Sequence, residues 1–112
     1  MYVILDRSLV AAGWSEGSMM AQACHAATKC IWEFKNDPSA QAYMNDLQNM
    51  RKIVLSAQSN SQLEELQAEL IARGIEHAPW IEQPESILTC IATKPIKKSA
   101  LGNILKEYKL YK

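Results

Sequence analysis

Three short apolar runs constrain this chain most: YVIL (2–5), KIVLSA (52–57) and ILTCIAT (87–93), each parted from the next by helical spacing. Runs of this length, rich in β-branched and aromatic residues, read as buried strands. HAPWIEQPES (77–86) adds a short strand around Trp80, ended by a turn at Gln83-Pro84. Helices between most strands act as crossovers, which favour parallel pairing, while the last two strands are close enough for an antiparallel pair. The predicted order is β-α-α-β-α-β-β-α. This is an α/β fold, a single domain over 1–112 with a four-stranded mixed β-sheet covered by helices on both faces.

The helices carry their own start and stop signals. Residues 6–17, DRSLVAAGWSEG, read as a loop, and Ser15 or Ser18 can cap the long helix that follows to about Lys35. Asp37-Pro38 places an N-cap and an N1 proline at a second, short helix. In SQLEELQAELIARG (61–74), Ser61 and Glu64 form a predicted capping box, Leu63, Leu66 and Leu70 a stripe, and Gly74 the stop. Pro95 opens a predicted last helix with Ile96, Leu101, Ile104 and Leu105 turned inward.

The long helix contains MMAQACHAATKC (19–30). At about 100° per residue, Ser18, Gln22, His25 and Lys29 fall within about 60° of one another and form one polar stripe. Ala23, Ala26, Ala27 and Cys30 lie on the other side, small enough to let the helix sit close to the sheet. An imidazole and an amide one turn apart can meet one substrate group. The plainer reading of His25 is a histidine hydrogen-bonded at the edge of a core. Cys24 and His25 point about 100° apart, so Cys24 is expected to be a packing residue rather than half of a Cys–His pair.

Composition narrows the function classes. With 112 residues, 48% of them hydrophobic, the chain can bury one core, and it holds no apolar run long enough to span a membrane. Met1 leads directly into YVIL, so no signal peptide is expected. Three cysteines without a C-x-x-C motif suggest reduced thiols in the cytoplasm and argue against structural zinc. The net charge of +0 is unevenly spread. From Lys94 onward, six lysines face only Glu107, giving +5, while the first 93 residues hold 6 basic and 11 acidic side chains, giving −5. A basic end of this kind is either a phosphate-binding surface or a solvated lysine-rich helix face.

EGSMMAQACHAA resembles the first-helix motif of the archaeal and eukaryotic class of peptidyl-tRNA hydrolases, approximately G-K-x-A-A-Q-C-S-H-A, matched at Gly17, Ala21, Gln22, His25 and Ala26. The likeness continues through MRKIVLSAQSNSQLEELQAELIARGIEH and TCIATKP, nearly the whole chain. WIEQPESILTCIA and AQACHAATKCIWEF are most similar to a eukaryotic subfamily named only for containing that hydrolase domain.

The resemblance implies a compact, often dimeric domain that cleaves the ester between a peptide and the terminal ribose of tRNA. It implies peptidyl-tRNA as partner and no metal or organic cofactor, and the lack of a long apolar run leaves no membrane partner expected. Such chemistry needs an oriented water, a donor for the developing oxyanion and cations for the RNA backbone. Gln22 and His25 are the expected catalytic pair. The family's lysine after the motif glycine falls on Ser18, and its aspartate loop is replaced by IEQPES, which offers Glu82 or Glu85. Glu82 is taken as the acid, with Ser18, Lys94, Lys97 and Lys98 as substrate-binding residues. Lys29 lies about 16 Å along the helix from Ser18 and cannot replace the lost cation. A hydrolase weakened by the altered site and a non-catalytic RNA- or protein-binding module of the same fold are both compatible with these residues.

Overall fold

The computed structural model describes residues 1–112. The chain forms β1 (Tyr2–Asp6), α1 (Ser8–Ala11), α2 (Glu16–Glu33), α3 (Pro38–Met44), β2 (Ile53–Ala57), α4 (Asn60–Ala72), β3 (His77–Glu82), β4 (Ile87–Thr93), α5 (Lys98–Leu101) and β5 (Lys109–Leu110). The sheet order is β3-β4-β1-β2-β5. Only β1 and β2 run parallel; the other three pairings are antiparallel. Pro79, which has no N–H to donate, lies in the edge strand β3, where its loss is tolerated.

Side-chain alternation divides the core in two. Val3, Leu5, Cys90 and Ala92 meet Met19, Ala26, Ala27 and Cys30 of α2 on one face. Tyr2, Ile4, Leu55, Ala57 and Ile91 meet Leu63, Leu66 and Leu70 of α4 on the other. The chain leaves β1 for the α2 face and β2 for the α4 face, so the two parallel strands feed helices on opposite sides of the sheet.

Ala26 is fully buried between α2 and the sheet. Ala26→Leu should cost about 1–3 kcal/mol through overpacking, read as a lower Tm in thermal unfolding. An unchanged Tm would mean that α2 is not seated this closely.

Besides the expected loop over 6–17, which holds the one-turn helix α1, three local expectations are corrected. The sheet has five strands rather than four, because the last helix is short. Gly102, at φ +58, ends α5 after Leu101, and Lys109–Leu110 then pair with Leu55 and Ser56. Glycine is poor inside a helix, by about 1 kcal/mol against alanine, and the returning strand covers an otherwise open edge of β2. Second, α4 begins earlier than expected. The extended residue Ser59 caps it by accepting from the Gln62 N–H, and the Gln62 side chain accepts from the Gln58 N–H. Third, Cys24 is exposed, not packed. It lies roughly 130° around the helix from the buried arc of Met19 and Cys30.

Other signals act as read. Ser15 caps α2, Asp37 caps α3 with Pro38 following, and Gly74 takes a positive φ after α4. There the Ile75 N–H bonds the Leu70 carbonyl and the Gly74 N–H that of Ile71, the two bonds of a Schellman stop.

Candidate active site

The polar stripe of α2 runs along the edge strand β3, with the two elements meeting residue by residue in opposite directions. Gln22 Nε2 donates to Glu82 Oε2 at 2.7 Å. His25 lies flat on Trp80, with ring centroids 4.5 Å apart and planes at 27°. Lys29 Nζ donates to the Pro79 carbonyl at 2.7 Å. Trp80 Nε1 closes the group by donating to Glu82 Oε1 at 3.2 Å. Gln22 and His25 straddle the boundary of the core: Gln22 is only 1% exposed, whereas His25 is open to solvent. They do not bond each other. His25 reaches Glu82 through the indole of Trp80.

An irregularity in β4 supplies a residue that the sequence pattern hides. Trp80 is paired with Cys90 but Ile81 with Leu88, so Thr89 is an extra residue in the ladder. Such a bulge re-aims a side chain. Thr89 turns to the α2 face beside Cys90, and its Oγ1 donates to Gln22 Oε1 at 2.7 Å. The buried amide is thereby fixed at both ends, with its oxygen toward Thr89 and its nitrogen toward Glu82. Asn60 braces the bulge from the other side, donating to the Leu88 carbonyl at 2.7 Å and to the buried Asp6 at 3.4 Å. Nothing in a single sequence announces a bulge, and ILTCIAT reads as an ordinary buried strand.

The Gln22 amide and then the Trp80 indole hold the half-buried Glu82 carboxyl below the usual carboxylate range, against a smaller opposing effect of burial. These two donors use one acceptor site on each oxygen, leaving others free for a water. Because the folded-state pKa is depressed, the bridge is complete above the ordinary glutamate range and is lost as pH falls through the lowered value. An NMR titration read at the Trp80 indole N–H should give a midpoint below about 4.3, the value of an unperturbed glutamate. A midpoint above that would contradict the bridge.

The remaining expected site residues are placed unequally. Ser18 is exposed in the capping turn, where its N–H and hydroxyl meet Ser15 and no group of the Glu82 cluster. Glu85 is exposed in the β3–β4 turn, so Glu82 is the carboxylate that reaches Gln22. Lys94 follows the opposite end of β4, about 16 Å along the strand from Thr89. Its ammonium pairs with Asp37 at 2.8 Å and Glu76 at 3.1 Å, which raise its pKa. Lys97 and Lys98 are exposed beside it at the start of α5. The three lysines therefore form a separate surface and do not surround Gln22. No three His, Cys, Asp or Glu side chains converge as a metal site requires.

Comparison with known proteins shows the family of the chain. The family model described as peptidyl-tRNA hydrolase PTH2 matches residues 1–111. The human protein named "Putative peptidyl-tRNA hydrolase PTRHD1" is 42% identical over 99% of this chain and 81% of its own length. Its mouse counterpart is 41% identical over the same shares. Peptidyl-tRNA hydrolase 2 of Saccharomyces cerevisiae is 27% identical over 88% of this chain and 53% of its own length.

Proposed function

We propose that this chain, which belongs to the peptidyl-tRNA hydrolase PTH2 family, hydrolyses the ester that joins a peptide to the terminal ribose of tRNA, and does so slowly. The observation that carries the reading is the Glu82 carboxylate, fixed by Gln22 and Trp80 beside the exposed His25 imidazole. Water held on a free lone pair of Glu82 attacks the ester carbonyl, and the carboxylate takes up its proton. An N–H of His25 stabilises the developing oxyanion, and the proton passes on to the departing ribose oxygen. Gln22, too buried to touch substrate, is a positioning residue that acts through Glu82, as Thr89 acts through Gln22. Turnover is slow on this reading because the exposed Ser18 stands where the motif carries a cation.

Gln22→Leu tests the arrangement. It removes the largest cause of the low Glu82 pKa and leaves the buried Thr89 hydroxyl without its acceptor, at about 1–3 kcal/mol of stability. Peptide release should fall, and the acid limb of its pH profile should move up toward ordinary glutamate. Loss of rate with no shift of that limb would assign Gln22 a purely structural part.

The substrate needs no membrane anchor, and no helix is long and apolar enough to cross a membrane. On the same reading the protein acts in the cytoplasm, with Lys97 and Lys98 touching tRNA phosphates away from the ester. Replacing both by alanine should weaken tRNA binding and flatten its salt dependence by about 0.7–0.9 counterion for each phosphate no longer neutralised. Unchanged affinity would remove this surface from the account. The binding-module reading draws its support from the exposed serine at position 18, where the motif it resembles carries a cation.

A further inference from the structure

We infer that the groove between α2 and β3 seats unpaired nucleobases of an RNA, stacked on Trp32. The inference rests on the proposed action on peptidyl-tRNA and names where the single-stranded end of that substrate lies.

The groove is shallow and open, offers about 380 Å³ and is lined by Cys24, His25, Thr28, Lys29, Trp32 and Trp80. Its aromatic groups are the His25–Trp80 stack and Trp32, and Cys24 and Thr28 are the small residues among its lining. Trp32 is 69% exposed, although an indole of this size would ordinarily be largely covered. The Lys35 ammonium sits 3.8 Å from the centre of its ring.

Charge identifies the occupant. The first 93 residues carry −5 and only 6 basic side chains, yet three of those six gather here. Lys29 lines the groove, Lys35 lies on Trp32, and Lys52 lines an adjoining hollow that shares Thr28 and Trp32. Glu33 is the acid paired with this group, 3.8 Å from Lys29. Flat aromatic faces among cations in an otherwise acidic region suit unpaired nucleotides, because every base has a π-face and every linkage a phosphate. A base on Trp32 either takes the open face or moves the flexible Lys35 ammonium from the ring to its own phosphate. A duplex keeps its base faces stacked and cannot offer them. The groove begins at His25, one helical turn from Gln22 and Glu82, so an RNA whose terminal ribose reaches Glu82 would run its last bases along it.

The test titrates the intact protein with an unstructured RNA hexanucleotide and with a blunt-ended RNA hairpin at one ionic strength, following tryptophan fluorescence and anisotropy. The hexanucleotide should quench fluorescence and bind more tightly than the hairpin. Trp32→Ala should weaken it roughly 5- to 150-fold, which is the span of one base–aromatic stack. Trp32→Phe should retain most of the affinity, and Lys35→Ala should lower it with a shallower salt dependence. Hexanucleotide affinity unchanged in Trp32→Ala, or a hairpin bound equally well, would overturn the inference and leave the exposed Trp32 as a protein-docking residue. Binding needs no turnover, so the two claims fail separately. An inactive protein that binds through Trp32 would sink only the hydrolase reading, and an active one indifferent to Trp32→Ala would sink only the groove.

Discussion

Glu82→Gln should lower kcat for peptide release about 100- to 10,000-fold, the range over which a positioned general base contributes. The substitution keeps the side chain's size and one acceptor oxygen but removes the charge that orients and deprotonates water. It also turns one acceptor oxygen into an NH2 group, so either the Gln22 amide or the Trp80 indole loses its acceptor. Circular dichroism separates folding from chemistry, since Glu82 lies at the end of an edge strand and outside both cores. Loss of kcat with tRNA affinity retained is the expected result. Equal kcat in a folded Glu82→Gln protein would move the catalytic base elsewhere.

Ser18→Lys is expected to act in the opposite direction, raising the rate by one to two decades. Position 18 precedes Gln22 by about 6 Å along the helix axis on the same stripe, and it is exposed, so a lysine fits without repacking. A cation in the first turn opposes the helix dipole at a cost of roughly 0.3–1 kcal/mol. A charge-assisted hydrogen bond to a phosphate or the developing oxyanion contributes about 1.5–3 kcal/mol, which outweighs it. If that bond forms only in the transition state, the gain appears in kcat. A change confined to affinity would place the new interaction on ground-state RNA instead.

The parts legible in the sequence are those fixed by local rules. Asp37-Pro38 and Gly74 announce helix ends through backbone chemistry that needs no distant partner. The stripe of Ser18, Gln22, His25 and Lys29 follows from helical geometry alone, and so does the small-residue face of Ala26, Ala27 and Cys30. What stayed hidden depends on tertiary pairing. That Gln22 is buried and His25 exposed reflects their places within the stripe, Gln22 about 70° and His25 about 130° from the buried arc of Met19 and Cys30, and the meeting of Gln22 with Thr89 of β4. The Thr89 bulge is a register difference between two strands and leaves no local mark. β5 exists because β2 offers an edge, which a Lys-Leu pair cannot reveal by itself. Lys94 looks like a free cation until Asp37 and Glu76 are found beside it. Glu82 and Glu85 are chemically alike in the sequence, and it is the turn that separates them, leaving Glu85 exposed while Glu82 meets Gln22.

The most direct test is release of peptide from purified N-blocked aminoacyl-tRNA by the folded protein, with a related enzyme of established activity as control. The account predicts slow, multiple-turnover release that disappears in Glu82→Gln. No release by the wild-type protein while the control is active would contradict it and leave an RNA-binding module built on the same fold.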